Sequence, residues 1–192
     1  MIKTGFFGGS FNPIHKGHIE LAKQFLRWCQ LDEVWFMVSP QNPLKQQAGL
    51  AADDLRLKMV RAALRHCRHL KASNYEFHLP RPSYTWDTLQ QLAVDEPQRT
   101  FTLLIGSDNW LNFKQWYCHE KILASHAIAI YPRSGAPVMP DTLPENVQLI
   151  DSKTHEVSST DIRHRIRNGL PISEFVPKSV EHIIRQERLY QG

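Results

Sequence analysis

The chain has 192 residues, 42% of them hydrophobic and 22% charged, a balance that suits a globular fold with a continuous core and excludes a disordered or fibrous architecture. Its 23 basic against 19 acidic side chains give a formal charge of +4, which favours an anionic small molecule and leaves too little electrostatic footprint for a DNA-binding protein. Cys29, Cys67 and Cys118 are odd in number, widely spaced and without a CxxC pair, so neither a disulfide framework nor a structural zinc site is expected, and a reducing compartment is the simpler reading.

Residues 2–7 are a short run ending at Gly8-Gly9, read as a strand and a glycine turn. The same segment turns to glycine before a signal-peptide apolar region develops. No apolar stretch nears the roughly 20 residues that span a bilayer, so a cytoplasmic protein with no membrane partner is expected. Ile14, Ile19, Leu21, Ala22, Phe25 and Leu26 are helix-spaced over residues 14–31, and residues 34–38 (VWFMV) read as a strand buried on both faces, which completes a βαβ unit. Residues 40–49 are loop-like. A helix over 53–67, an irregular strand within 69–79 and a helix over 84–94 follow. The run FTLLI at 101–105 before Gly106 is again a buried strand and turn. Residues 122–125 end a helix before the strand 127–131, and four prolines and a glycine make 132–144 loop before a strand at 147–150. The chain closes with a helix over 158–168, stopped by Gly169, and another over 177–186.

Alternating strands and helices predict an α/β fold, a Rossmann-like parallel sheet with helices on both faces, and one domain over residues 1–192 in which the helical part 158–192 completes the site. In such folds ligands gather at the carboxyl ends of the strands. Three polar segments fall there: residues 8–18, 106–109 and 158–163.

In GGSFNPIHKGH (8–18) Gly8 and Gly9 let the backbone approach a ligand, and the helix start offers N–H groups to negative charge. Ser10 adds a hydroxyl, and His15 and His18 lie near one face, where both can reach one triphosphate. The two histidines lack a nearby Cys or carboxylate that would complete a metal-ligand set. In SSTDIR (158–163) Ser158, Ser159 and Thr160 supply a helix cap and hydroxyl donors, and Arg163 a forked cation. Arg163, Arg165 and Arg167 are expected to oppose the helix dipole, a conflict that a bound polyphosphate would relieve. Gly106 permits close approach, and Asp108 can accept hydrogen bonds from ribose hydroxyls or else cap the next helix, as can Ser107.

GGSFNPIHKGH resembles the HxGH signature of the nucleotidyltransferase superfamily, and SSTDIR its ISSTxxR signature. IGSD (105–108), NWLNFKQWY (109–117) and SYTWDTL (83–89) further resemble the nicotinate mononucleotide adenylyltransferases, so the likeness covers nearly the whole chain. The resemblance implies a nucleotidyltransferase fold and transfer of AMP from ATP to nicotinate mononucleotide, giving nicotinate adenine dinucleotide and pyrophosphate. It assigns Gly8, Gly9, Ser10, His15, His18, Ser158, Ser159, Thr160 and Arg163 to the ATP phosphates, with His18, Ser10 and Arg163 catalytic, and Gly106 and Asp108 to the adenosine. Lys45, Thr85, Trp116 and Tyr117 are assigned to the acceptor, Trp116 stacking on the pyridine ring. Mg2+ is expected with ATP, without a dedicated carboxylate cage. The sequence departs from the common pattern at QNPLK (41–45), where relatives end in Pro-His-Lys, and at Asn12, where many carry Asp. Nicotinamide mononucleotide or phosphopantetheine as acceptor, a nucleotide-binding regulator without turnover, and an RNA-binding module are the alternatives. The last lacks a stacked-aromatic signature, so no nucleic-acid partner is expected.

Overall fold

Parallel pairing orders six strands β3-β2-β1-β4-β5-β6 in a computed structural model that describes residues 1–40, 49–151 and 157–191. The strands are β1 (Ile2–Gly9), β2 (Glu33–Val38), β3 (Leu70–Ser73), β4 (Arg99–Gly106), β5 (Ala127–Tyr131) and β6 (Val147–Leu149). Between them run α1 (Lys16–Trp28), α2 (Asp53–Leu64), α3 (Thr85–Asp95), α4 (Ser107–Leu111) and α5 (His119–Ser125), with α6 (Ser159–Arg167) and α7 (Lys178–Gln186) after the sheet. This is the expected α/β, Rossmann-like arrangement.

The pleat divides the core in two. Phe7, Phe36, Leu104 and Ala129 pack with residues of α1, α2, α6 and α7 on one face, while Phe6, Met37, Leu103, Ile105, Ile128 and Ile130 pack with residues of α3 and α5 on the other. The apolar runs read as doubly buried strands therefore cover both faces. Strand order reverses beside β1, whose partners are β2 and β4. The carboxyl ends of β1 and β4 flank this switch point, where a doubly wound sheet leaves a crevice.

Several boundaries differ from expectation. The first helix starts at Lys16 instead of residue 14, since His15 is extended (φ −140°, ψ 170°). Only Leu70–Ser73 of the expected irregular strand pairs with β2; Tyr75–His78 is a 3₁₀ turn. After β4 the chain enters α4 directly and then a 3₁₀ turn at Phe113–Gln115. Gly169 closes the α6 region with φ +67°, a conformation open to glycine, and its N–H bonds the Ile166 carbonyl.

Candidate active site

Beyond β1 the chain turns sharply through Ser10–Pro13, with Phe11 buried at φ +45°. A non-glycine residue held there needs support from its surroundings. Arg56 of α2, wholly buried, supplies part of it. Its guanidinium donates to the carbonyls of Ser10 (2.6 Å), Ser39 (2.9 Å) and Ala51 (3.0 Å) and pairs with Asp53 at 2.5 Å. Burial lowers its pKa while the Asp53 carboxylate acts to raise it. Asn12 donates through Nδ2 to the Gly49 carbonyl (2.9 Å), while its Oδ1 accepts the Ala51 N–H (3.1 Å). The departure from Asp thus has a reason: a carboxylate offers no donor to Gly49.

The His15 N–H donates to Nδ1 of His18 at 3.3 Å, and the two rings stack with centroids 3.7 Å apart. Accepting at Nδ1 places the proton of a neutral ring on Nε2, which makes His18 a donor at its far edge. Phe7 and Phe11 meet the ring at centroid distances of 6.2 and 5.2 Å. His15 is buried behind it. The helix start is less open than expected, because the Lys16 N–H donates to the Phe175 carbonyl (2.8 Å) and that of His18 to the His15 carbonyl (3.1 Å).

The second motif docks on the first across some 150 positions of chain. Arg163 donates to the Asn12 carbonyl (2.8 Å), and the Ser159 hydroxyl to the Pro13 carbonyl (2.9 Å). Ser158 caps α6 through a reciprocal box with Asp161, its hydroxyl donating to Oδ2 at 2.6 Å. Thr160 accepts from Arg163 (3.2 Å). The hydroxyl protons of Ser158 and Ser159, expected as phosphate donors, are thus engaged within the protein. The dipole argument also needs correction. Arg165 and Arg167 occupy the last turn of the nine-residue α6, where cations favour the dipole, so they require no polyphosphate. Arg165 donates to the Pro171 carbonyl (2.9 Å) and lies over Phe175.

At the end of β4, Gly106 is the N-cap of α4. Its backbone is ordinary; space is the constraint, since a Cβ would meet the Asp108 carboxylate and come within 3.0 Å of Arg133 Nε. Asp108 pairs with Arg133 at 3.4 Å, yet its Oδ1 is buried without a hydrogen bond. Neither Asp108 nor Ser107 caps the helix: the Ser107 hydroxyl accepts the Arg133 N–H (2.8 Å). Arg133 also donates to the Tyr131 hydroxyl (2.7 Å).

A cavity opens on the α3 side of this crevice. Gly8, Gly9 and Ser10, expected at the ATP phosphates, line it together with Thr85, Trp116 and Tyr117, expected at the acceptor, joined by Ser39, Glu76, Ser83, Tyr84, Asn109 and Gln115. Phe6, Leu103, Leu104 and Ile105 form its apolar floor. Trp116 is half-buried with Nε1 lacking a hydrogen-bond partner, and Tyr117 is exposed beside Tyr84, ring centroids 5.0 Å apart. His15, His18, Gly106, Asp108 and residues 158–163 fall outside this lining. Lys45 lies outside the described residues.

Sequence reasoning missed Arg56 and Glu76. Glu76 is buried in the cavity wall, accepting from Thr88 (3.1 Å) and Ser83 (3.4 Å), and burial pushes its carboxyl above the ordinary range. A charged residue among apolar positions was the available signal for each.

Residues 6–165 match the sequence profile of the Cytidylyltransferase-like family. Over 185 residues the chain is 49% identical to a probable nicotinate-nucleotide adenylyltransferase of Bacteroides thetaiotaomicron, covering 96% of this chain and 92% of that one. It is 40% identical to a protein of the same description from Cytophaga hutchinsonii, over the full length of both. Among solved structures, nicotinic acid mononucleotide adenylyltransferase of Plasmodium falciparum complexed with NaAD superposes with a TM-score of 0.84 at 20% identity, covering 99% of this chain and 98% of that one. That likeness carries the fold. With two signature motifs hydrogen-bonded to each other at the switch point of the sheet, and relatives this similar over nearly their whole length, the chain belongs to the nicotinate-nucleotide adenylyltransferase family.

Proposed function

We infer that the chain is a nicotinate-nucleotide adenylyltransferase of NAD biosynthesis, a nucleotidyltransferase that joins the AMP moiety of ATP to nicotinate mononucleotide and releases pyrophosphate. The observation that carries this reading is the cavity at the switch point, walled by the Gly8–Ser10 turn on one side and by Thr85, Trp116 and Tyr117 on the other. ATP belongs along the joined motifs, its adenosine toward Gly106 and Asp108; the acceptor belongs in the cavity, its ring toward Trp116.

A 5′-phosphate oxygen of the acceptor attacks the α-phosphorus in line. The P–O bond to the β-phosphate breaks, and its electron pair leaves with pyrophosphate. The nucleophile is anionic at neutral pH, so the protein mainly aligns two anions and offsets phosphate charge. His18 serves as a preoriented Nε2 donor, Arg163 adds a cation beside the turn, and Ser10 lends its hydroxyl at the cavity edge. Ser158, Ser159 and Thr160 act chiefly by holding α6 and Arg163 against the first motif. Asp108, whose side chain is 41% exposed, accepts from the ribose.

Among the described residues no three His, Cys, Asp or Glu side chains group as a metal cage. A Mg2+ ion arriving with ATP would neutralise charge on the transferring phosphates. The protein acts within the cytoplasm, on small-molecule substrates; among the described residues no helix is long and apolar enough to cross a membrane.

The test is pyrophosphate release from Mg-ATP with nicotinate mononucleotide, nicotinamide mononucleotide and phosphopantetheine supplied separately. Release favouring the first is expected. Preference for another acceptor overturns the specificity, and silence with all three leaves a binding-only protein. His18→Ala should lower kcat by about 10²–10³-fold with Tm retained, the range for loss of one preorganised donor; unchanged turnover removes His18 from the mechanism.

A further inference from the structure

The phosphate-loop residue Asn12 has a partner that none of the motifs contains. The Tyr190 hydroxyl donates to Asn12 Oδ1 at 2.7 Å, across 178 positions of sequence. That oxygen also accepts the Ala51 N–H, the amide nitrogen donates to Gly49, and the Asn12 carbonyl accepts from Arg163. A single side chain therefore ties together the turn after β1, the segment leading into α2, and Tyr190. With two donors on one side and a carbonyl on the other, the orientation of the amide is fixed.

The backbone around Tyr190 is shaped for this delivery. Val180, Ile183 and Ile184 of α7 are buried, Lys58 pairs with Glu187 at 2.7 Å, and the Ser179 hydroxyl donates to the Ala62 carbonyl, which docks α7 on α2. Past the helix, the Leu189 N–H returns to the Ile184 carbonyl (2.9 Å), and Arg188 and Tyr190 take φ of 49° and 63°. Non-glycine residues in the left-handed region carry a conformational cost, and here the turn aims a phenol at the loop. Burial pushes the Tyr190 phenol well above its ordinary pKa, so it stays a donor across the working pH range, with the Arg56 and Arg163 guanidiniums in electrostatic reach.

We propose that Tyr190 is a positioning residue for the ATP site, acting through Asn12 to hold the turn that carries Ser10 and to keep the Asn12 carbonyl in place for Arg163. Without the hydroxyl, Asn12 Oδ1 keeps one donor, and the turn loses one of its anchors outside the two signature motifs. The proposal rests on the functional reading only for its activity measurement; Mg-ATP binding tests it independently.

The experiment compares wild type, Tyr190→Phe, Asn12→Ala and the double variant, with Lys58→Ala as a control for the docking of α7. Calorimetric Mg-ATP affinity, kcat and the KM values for ATP and nicotinate mononucleotide are measured beside Tm. Tyr190→Phe keeps the ring and should weaken Mg-ATP binding and kcat/KM for ATP by roughly tenfold, the worth of one buried hydrogen bond. In the Asn12→Ala background the same change should do nothing further, because the oxygen it addresses is gone. Lys58→Ala should leave both Tm and the ATP KM nearly unchanged, since an exposed ion pair contributes little and the buried face of α7 remains. Wild-type ATP affinity in Tyr190→Phe, or an equal loss with and without Asn12, overturns the proposal. If Tyr190→Phe proves too unstable to assay, Asn12→Ala serves alone: it removes the oxygen that Tyr190 addresses and should weaken Mg-ATP binding by about tenfold or more, and wild-type affinity overturns the proposal. Failure of turnover in wild type with Mg-ATP binding intact would count against the functional reading and leave this inference standing.

Discussion

Gly106→Ala separates the part of the site proposed to hold adenosine from the fold around it. The added Cβ meets the Asp108 carboxylate, approaches Arg133 Nε at 3.0 Å and Tyr131 Cζ at 3.1 Å. Gly106 has φ −76°, so alanine suits its backbone and the whole effect is steric. Overpacking of this kind costs about 1–3 kcal/mol, and here the low end applies, since the nearest obstacle is the tip of a mobile side chain that can swing away. The swing has a functional cost. Hydrogen bonds to a charged group are worth about 1.5–3 kcal/mol, so an Asp108 displaced from the ribose should raise the KM for ATP by roughly ten- to a hundredfold at 1.4 kcal/mol per decade. The assay is the KM for each substrate beside Tm, repeated in an Asp108→Ala background. There the obstacle is already removed, and Gly106→Ala should add little to the ATP KM. An equal penalty in both backgrounds, or a rise confined to the acceptor KM, would refute the steric account.

Arg56→Met removes the donor shared by the Ser10, Ser39 and Ala51 carbonyls and leaves Asp53 with only its Arg81 contact, so a loss of about 3–5 kcal/mol is expected in denaturant unfolding; a loss under about 1 kcal/mol would show those carbonyls are readily rehydrated. Ser158→Ala deletes the cap of α6 and should cost about 1 kcal/mol, a fall of roughly 2–4 °C in Tm for a chain of this size, together with a higher ATP KM as Arg163 loosens. Glu76 carries a pH signature. Burial raises its pKa above the ordinary 4.5, so the stability it contributes is complete below the unfolded carboxyl range and is lost as pH rises through the folded value. Glu76→Gln, which cannot ionise, should therefore gain Tm over wild type as pH climbs from acid toward neutral, and a difference independent of pH would show that the carboxyl pays no burial penalty.

Elements whose residues carry their own signal were legible in the sequence. VWFMV and FTLLI are apolar at every or nearly every position because helices cover both faces of the sheet, and they became β2 and most of β4. Residues 74–79 fall within the irregular strand expected over 69–79, yet the chain there coils into a 3₁₀ turn at Tyr75–His78 that buries Glu76 at the cavity. Periodicity has no means to register a buried carboxyl satisfied by Ser83 and Thr88. The segment after Gly106 contains a five-residue helix, too short to show an amphipathic period. The two motifs are legible as segments and the fold brings them into contact, but what their residues touch depends on partners far along the chain: Ser159 on Pro13, Arg163 on Asn12, Arg56 on Ser10. The dipole argument over Arg165 and Arg167 failed because it grouped them with Arg163 near the helix start, although the expected end at residue 168 already put both in the last turn, where α6 places them.

β1 precedes the other five strands of the sheet in the chain and lies at the middle of that sheet, but the turn at its end is held in part by residues made much later: Ser159, Arg163 and Tyr190. A chain emerging from the ribosome can form the β1–α1–β2 unit early, since neighbouring elements supply its core. Its phosphate turn then waits for the rest of the polypeptide. Prematurely terminated products that stop before α6 should accordingly be inert toward ATP instead of partly active, and proteolytic nicking after α6 should silence the enzyme before it unfolds the sheet. Order of synthesis and order of functional maturation run in opposite directions along the β1 turn.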